Sequence, residues 1–300
     1  MNKEKCRLPI IELMARHLPL KHLLHWGGSV LAIVGLAFVI LRLYDAGTAI
    51  NLGRFGLSRW LILAGLVLIS GLANSLLALA WWNLLGQFGA TTAWRWAIRV
   101  YGLSQIAKYL PGNIFHLAGR QALGMAAGVP GWPLAKSAAW ELGLIFFAGG
   151  IFSLLALSLI APAIPMAVGF GLFVVTVAGV TVLLRRYLSP LVASALGLYI
   201  CFLAISGMLF VGLVELVSVH TEADKLSWIP LCGAYVTAWL VGLVTPGAPA
   251  GMGVRELVLL FLLKGIIAET DLVMAVVLGR VVTIGGDFLI FLFAVLMNRK

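Results

Sequence analysis

The chain has 300 residues, of which 62% are hydrophobic and only 11% charged, and its mean hydropathy is +1.08. Soluble domains carry about 25% charged residues, so this composition excludes an ordinary water-soluble protein. The net charge of +10 does not indicate nucleic acid as a partner, because the basic residues lie mostly at the ends of apolar runs, where they orient a membrane protein.

The apolar runs follow one another along almost the whole chain. Residues 1–24 form a basic segment that we expect at the cytoplasmic face or along the membrane interface. The segment 91–110 is helical in pattern but too polar for a lipid-facing span. The apolar runs cover 25–44, 60–86, 134–160, 164–184, 190–217, 228–245, 254–268 and 271–297. Since a membrane-crossing helix needs about 20 apolar residues, the sequence predicts an all-α, polytopic transmembrane helical bundle, with 25–297 as a single domain.

The basic residues predict how the bundle is oriented. With a cytoplasmic N-terminus, the pairs Arg95/Arg99, Arg185/Arg186 and Arg299/Lys300 all fall on the cytoplasmic side, and the loop 218–227, with two acids, falls outside. Arg54 and Arg59 do not fit this arrangement, because it places them outside. We therefore expect a multi-pass protein with both termini in the cytoplasm.

Two interruptions in the apolar pattern resemble each other. In each, a Pro-Gly pair is followed, nine residues after the proline, by an arginine that opens a short apolar helix. The first consists of Pro111, Gly112 and Arg120, and the second of Pro246, Gly247 and Arg255. These breaks define repeat-like units around 91–184 and 228–297, and the Pro-Gly pairs are candidate hinges.

The predicted topology makes the two breaks candidates for re-entrant hairpins. The first unit begins and ends on the cytoplasmic side and the second outside, so the hairpins would enter in inverted orientation and meet near the midplane. The runs 114–128 and 254–268 are short for complete spans. The alternative is that each unit consists of two full spans joined by a tight Pro-Gly turn in solvent, and loop parity does not separate these readings.

The sequences around the breaks also carry a family resemblance. KYLPGNIFHLAGR and TPGAPAGMGVREL resemble the two signature segments of the lysylphosphatidylglycerol synthase transmembrane region, also called the flippase-like integral membrane family. Glu141 in AAWELG and Arg280 in GRVVTIGGDFL are further similarities, and the resemblance covers roughly 25–297. The stretch PGAPAGMG departs from the more compact glycine run that is common in that family.

The resemblance implies a protein of a bacterial or archaeal membrane that handles lipids or lipid-linked sugars, and we expect the bacterial cytoplasmic membrane. In fused members of the family, this region is associated with moving a modified phospholipid between leaflets. The last apolar run ends three residues before the C-terminus, so we do not expect lysyl transfer to lipid.

Charged residues within or near apolar runs are the candidate site. A charge at mid-bilayer costs about 2.5–3.5 kcal/mol, so it is usually paired or functional. Arg120 and Arg255 each follow a helix break, and the planar guanidinium suits phosphate oxygens. We therefore expect them to bind a lipid headgroup, with hydrogen bonds from Asn113, His116 and Gln121.

The remaining intramembrane charges are candidates for charge pairing or gating, namely Glu141, Glu256, Arg280 and Asp287. Arg280, Thr283 and Asp287 share one helical face and predict an inward polar stripe. The structural alternative is that Arg120 pairs with Glu141, and Arg280 with Asp287 or Glu256, to lock the bundle.

The leading functional hypothesis is a membrane lipid translocase that binds an anionic phospholipid or a lipid-linked sugar phosphate in a midplane cavity. The alternatives are a membrane enzyme acting on lipid-linked substrates and an accessory subunit in lipid or polysaccharide modification. The sequence has no catalytic motif, P-loop or Cys/His metal spacing, so we expect no enzymatic activity and neither cofactor nor metal. Homo-oligomerisation or a partner enzyme is compatible with the sequence.

Overall fold

The computed structural model describes residues 56–109, 115–218, 227–245, 251 and 253–297, and the predicted segments 1–24 and 25–44 lie outside these ranges. The described residues form helices and contain no β-sheet. The helices are α1 (Leu57–Gln87), α2 (Trp94–Gln105), α3 (Phe115–Ala126), α4 (Gly131–Phe152), α5 (Leu157–Ile160), α6 (Met166–Tyr187), α7 (Pro190–Val217), α8 (Trp228–Val244), α9 (Val254–Leu262) and α10 (Glu269–Leu296). Two 3-10 turns extend this order: Ile106–Tyr109 continues α2, and Ser153–Ala156 joins α4 to α5.

Among the described residues, five helices are long and apolar enough to cross a membrane. They are α1, the continuous helix Gly131–Ile160, α6, α7 and α10. Helix α8 is apolar but has only 17 residues. Most of the polar segment 91–110 forms α2 and its 3-10 extension (Trp94–Gln105 and Ile106–Tyr109), and α2 is not among these spans. Over the described residues the all-helical prediction is therefore confirmed, and the five apolar helices are consistent with the predicted membrane protein.

Local chemistry sets the ends of several helices. Ser189 precedes α7, and its hydroxyl accepts a hydrogen bond from the Leu191 amide at 3.0 Å, with Pro190 as the first helical residue. After α1 the chain turns at Gly89 and after α3 at Gly128, both with positive φ (81° and 85°). A glycine in this conformation ends a helix without steric cost, so these two helices stop where the sequence provides one.

Small residues allow α1 and α10 to cross at close range. A Cβ atom placed on Gly286 of α10 would lie 2.5 Å from Ser70 Oγ and 2.8 Å from the backbone nitrogen of Gly71 on α1. Without a hydrophobic driving force inside the bilayer, such close backbone contact is a main source of helix association. The crossing brings Asn74 of α1 to Asp287 of α10, with Asn74 Nδ2 donating to Oδ1 at 3.1 Å.

Several helix ends lie side by side at one end of the bundle. The start of α2 and the segment after α3 line one surface groove, to which Thr92, Trp96, Gly128 and Pro130 contribute. Arg99 Nε, on α2, donates to the backbone oxygen of Ala294 near the end of α10 at 3.3 Å. The start of α2 and the end of α3 therefore lie near each other.

We expect Gly286→Ala to lower the free energy of unfolding by about 1–3 kcal/mol, because the added methyl group forces α1 and α10 apart. The Ser70 hydroxyl can rotate away, but the Gly71 backbone cannot. Thermal denaturation in detergent measures the effect. The matched control is Gly143→Ala on α4, where nothing lies within 4 Å of the new methyl group. Equal stability of Gly286→Ala and wild type would contradict the crossing.

Candidate functional site

A cavity of about 130 Å³ lies at the centre of the bundle, lined by eight helices. All helices except α5 and α6 contribute to its wall. The polar and aromatic wall residues include Ser70, Asn74, Tyr101, Gln105, Tyr109, Phe202, Ser206, Tyr235, Trp239 and Thr283. The wall residues with titratable or charged groups are Lys108, His116, Glu141, Arg255, Arg280 and Asp287. The sequence-predicted site residues therefore divide into a group on this wall and a group away from it.

Helix α10 supplies a polar stripe to the cavity. Arg280, Thr283 and Asp287 all lie on its wall, as their spacing predicts. The Thr283 hydroxyl donates to the backbone oxygen of Gly279 at 2.9 Å, which satisfies it within the helix. Arg280 and Asp287, at the two ends of the stripe, are therefore the residues through which it forms ion pairs with other segments.

Arg120 lies behind the cavity wall, in an aromatic enclosure. Only 1% of it is exposed, and its Nη1 is 2.6 Å from Glu141 Oε2. Its guanidinium carbon lies 4.1 Å from the ring centre of Tyr101 and 5.2 Å from that of Trp81. The Tyr101 hydroxyl donates to Glu141 Oε1 at 3.0 Å. The structure thus contains the Arg120–Glu141 ion pair, which the sequence analysis gave as the alternative to headgroup binding. Arg120 is not among the residues that line the cavity.

The two residues predicted to assist Arg120 have different positions. Gln121 Nε2 donates to the backbone oxygen of Leu134 at 3.0 Å, which links α3 to the start of α4 away from the cavity. His116 lies on the cavity wall, and its buried Nδ1 has no hydrogen-bond partner among the described residues. Asn113 and the candidate hinges Pro111, Gly112, Pro246 and Gly247 lie outside the described residues.

A second ion pair holds the first turn of α9 against α10. Arg280 Nε donates to Glu256 Oε1, and Arg280 Nη2 donates to the backbone oxygen of Gly251 at 3.2 Å. Gly251 has a φ of 67° and packs against Gly242 of α8, where a Cβ atom on Gly251 would lie 2.9 Å from the Gly242 Cα. One arginine of α10 therefore binds both the chain before α9 and the first turn of α9.

A third ion pair holds the 3-10 turn Ile106–Tyr109 against the same helix. Asp287 is 2% exposed, and its Oδ2 lies 2.6 Å from Lys108 Nζ and accepts from the Tyr109 hydroxyl. Its Oδ1 accepts from Asn74 Nδ2 at 3.1 Å and, more weakly, from Gln105 Nε2 at 3.5 Å. Sequence reasoning did not include Lys108 or Tyr109 in the site. The sequence did contain a signal for Lys108, because this lysine helps to make 91–110 too polar for a span and lies three residues before Pro111.

Arg255 differs from the other buried cations. It is 6% exposed, lies on the cavity wall, and its guanidinium carbon is 4.2 Å from the ring centre of Tyr235. Within the described part of the chain, no carboxylate oxygen lies within 4.0 Å of its nitrogens. The neighbouring Glu256 is engaged by Arg280. Arg255 therefore presents a positive charge to the cavity with an aromatic ring, but no acid, in contact with it.

Comparison of the chain with protein-family models and with curated proteins gave no match.

We expect Arg120→Met to lower the free energy of unfolding by about 3–5 kcal/mol, because it leaves the Glu141 carboxylate buried without its cation. The double variant Arg120→Met/Glu141→Gln should recover part of this loss, since glutamine still accepts from Tyr101 and carries no charge. Denaturation in detergent of these two variants and of the single variant Glu141→Gln tests this, with Arg186→Met, at an exposed position of α6, as the control. A double variant as unstable as the sum of the two single variants would contradict a buried ion pair.

Proposed function

We propose that this chain is a membrane lipid translocase that binds an anionic phosphate headgroup in the central cavity, and that Arg255 holds the phosphate. The observation that carries the proposal is the buried guanidinium of Arg255 on the cavity wall, without a carboxylate partner in the described residues. A buried charge without a counter-charge is costly, so a site that keeps one supplies a reason for an anion to enter. Arginine binds phosphate oxygens through two parallel N–H groups.

The size of the cavity supports a headgroup as the bound part of the lipid. At about 130 Å³ it is smaller than the pockets of about 300–1,000 Å³ that hold drug-sized molecules. A phosphate with a small polar substituent suits such a space, whereas acyl or isoprenoid chains do not. In the proposed mechanism the chains remain in the bilayer while the headgroup passes through the protein.

Two ion pairs are the proposed gates of the translocation pathway. Lys108–Asp287 and Arg280–Glu256 connect the two broken segments to one helix, α10. We assign gating to these pairs, because breaking one would release one broken segment while the other stays bound. Of the two arginines predicted to bind the headgroup, this mechanism keeps that role for Arg255 alone, and Arg120 and Glu141 hold α3 against α4.

The lengths of the helices support re-entrant hairpins as part of the same proposal. Helix α3 has 12 residues and α9 has nine, which correspond to about 18 Å and about 14 Å. The hydrocarbon core is about 30 Å thick, so neither helix crosses it alone. Irregular backbone at that depth requires cover by protein or a water-filled cavity, and the central cavity would supply it. In this proposal the two hairpins are inverted and both termini lie in the bacterial cytoplasm.

The re-entrant arrangement predicts which positions share a face of the membrane. In a cysteine-free background, Ala93→Cys before α2 and Ala127→Cys after α3 should react with a membrane-impermeant thiol reagent from the same side. Ala163→Cys, between α5 and α6, should react from the opposite side. All three alanines lie at exposed positions, so the variants are matched. Labelling of positions 93 and 127 from opposite sides would contradict a re-entrant first break and also its alternative of two full spans.

Transport itself can be measured with reconstituted protein and fluorescent phosphatidylglycerol. We expect Arg255→Ala to lower the leaflet-exchange rate by about 10- to 100-fold, since a hydrogen-bonded charge contributes about 1.5–3 kcal/mol. Arg255→Lys should keep part of the rate, and Arg186→Ala, which removes an exposed arginine of α6, should keep all of it. Exchange by Arg255→Ala at the wild-type rate would reject the proposal. Chemical change of the recovered lipid would instead indicate the membrane enzyme.

A further inference from the structure

We infer that the cavity accepts headgroups that combine one phosphate with hydroxyl groups and excludes headgroups that carry an ammonium group. The inference rests on the proposed function, because it takes Arg255 as the phosphate contact. It adds the substrate class, which follows from the state of each acid at the cavity.

Glu141 offers no negative charge to a bound cation. Its Oε2 is 2.6 Å from Arg120 Nη1, and its Oε1 accepts from the Tyr101 hydroxyl at 3.0 Å. Arg120 approaches from behind the wall and is almost fully buried. The charge of Glu141 is therefore neutralised by a cation that a headgroup would have to displace from an aromatic enclosure.

Asp287 is engaged in the same way. Both of its oxygens accept hydrogen bonds, from Asn74 and Gln105 on one side and from Tyr109 and Lys108 on the other. These donors come from α1, α2 and the 3-10 turn, so the carboxylate is surrounded from three elements. An ammonium group would have to replace the Lys108 ammonium, which already lies 2.6 Å from Oδ2.

Glu256 is the third acid of this region, but it does not line the cavity. Its Oε1 accepts from Arg280, and its Oε2 is buried without a hydrogen-bond partner among the described residues. His116, on the wall, brings no negative charge. The charged wall residues and their ion-pair partners together carry four cations and three anions. The cations are Lys108, Arg120, Arg255 and Arg280, and the anions are Glu141, Glu256 and Asp287. A single phosphate balances this set, and an added ammonium does not.

The rest of the wall suits hydroxyl groups. Ser70 and Ser206 bring side-chain hydroxyls, which both donate and accept hydrogen bonds. Trp239 and Phe202 pack edge to face, with ring centres 6.3 Å apart, and both lie on the wall. Apolar rings beside hydroxyls fit the carbon skeleton and the oxygens of a polyol. A glycerol headgroup and a sugar phosphate share this chemistry.

Equilibrium binding to the full-length protein in detergent, read by native mass spectrometry, tests the inference. Dioleoyl phosphatidylglycerol and a polyprenyl-phosphate-linked hexose present the favoured chemistry from two sources. Dioleoyl phosphatidylethanolamine carries the same acyl chains with an ammonium group, and dioleoylglycerol lacks the phosphate. We expect at least one of the first two lipids to bind on the order of tenfold or more tightly than phosphatidylethanolamine.

Two results would overturn the inference, and they have different consequences for the proposed function. Phosphatidylethanolamine binding within about twofold of the tightest lipid would remove the selectivity and leave the phosphate role of Arg255 intact. Phosphate lipids that bind no better than dioleoylglycerol would remove both.

A variant that adds a negative charge to the cavity wall tests the selectivity independently. Ser206→Asp places a carboxylate on the wall, so it should shift the binding ratio toward phosphatidylethanolamine by about tenfold or more. Ser58→Asp adds the same charge at an exposed position at the start of α1 and should leave the ratio unchanged. A folded Ser206→Asp protein with the wild-type ratio would contradict the inference, and folding is checked by its thermal unfolding.

Discussion

The cost of holding charge inside a low-dielectric bundle constrains everything else in this structure. Arg120, Glu141, Glu256 and Asp287 are all buried, and each is in contact with an opposite charge supplied by another segment of the chain. Such pairs contribute little net stability, but breaking one leaves an uncompensated charge, so they fix which helices must stay together. Arg255 departs from this pattern, and the functional proposal follows from that departure.

The pairs also connect the short segments beside the two Pro-Gly pairs to the rest of the bundle. Short helical segments are only marginally stable by themselves, so they need a partner that holds them in place. Helix α10 provides it twice, through Asp287 to the 3-10 turn before the first break and through Arg280 to Gly251 in the second. Small residues at Gly71 and Gly286 let α10 approach α1 closely enough for the first of these contacts. Packing and electrostatics thus act on the same helix.

Hydropathy and charge patterns predicted the helical class and most helix positions, because lipid requires long apolar helices and leaves a strong signal. The polar stripe on α10 followed from spacing alone. The ion-pair partner of Arg280 did not follow from the sequence, because the sequence left both Asp287 and Glu256 as candidates. The structure pairs Arg280 with Glu256. Arg120 and Arg255 have the same place in their repeats, yet tertiary contacts enclose one beside Tyr101 and Glu141 and leave the other on the cavity. Lys108 was missed because the sequence shows that 91–110 is polar but not which helix its lysine contacts.

The most direct test is an experimental structure of the protein in nanodiscs containing phosphatidylglycerol, determined by cryo-electron microscopy at a resolution that shows headgroups. We predict phosphate density in the central cavity within hydrogen-bonding distance of the Arg255 guanidinium, with Arg120 still paired to Glu141. A carboxylate in contact with Arg255, or a headgroup bound elsewhere while the cavity contains only water, would contradict the central claim.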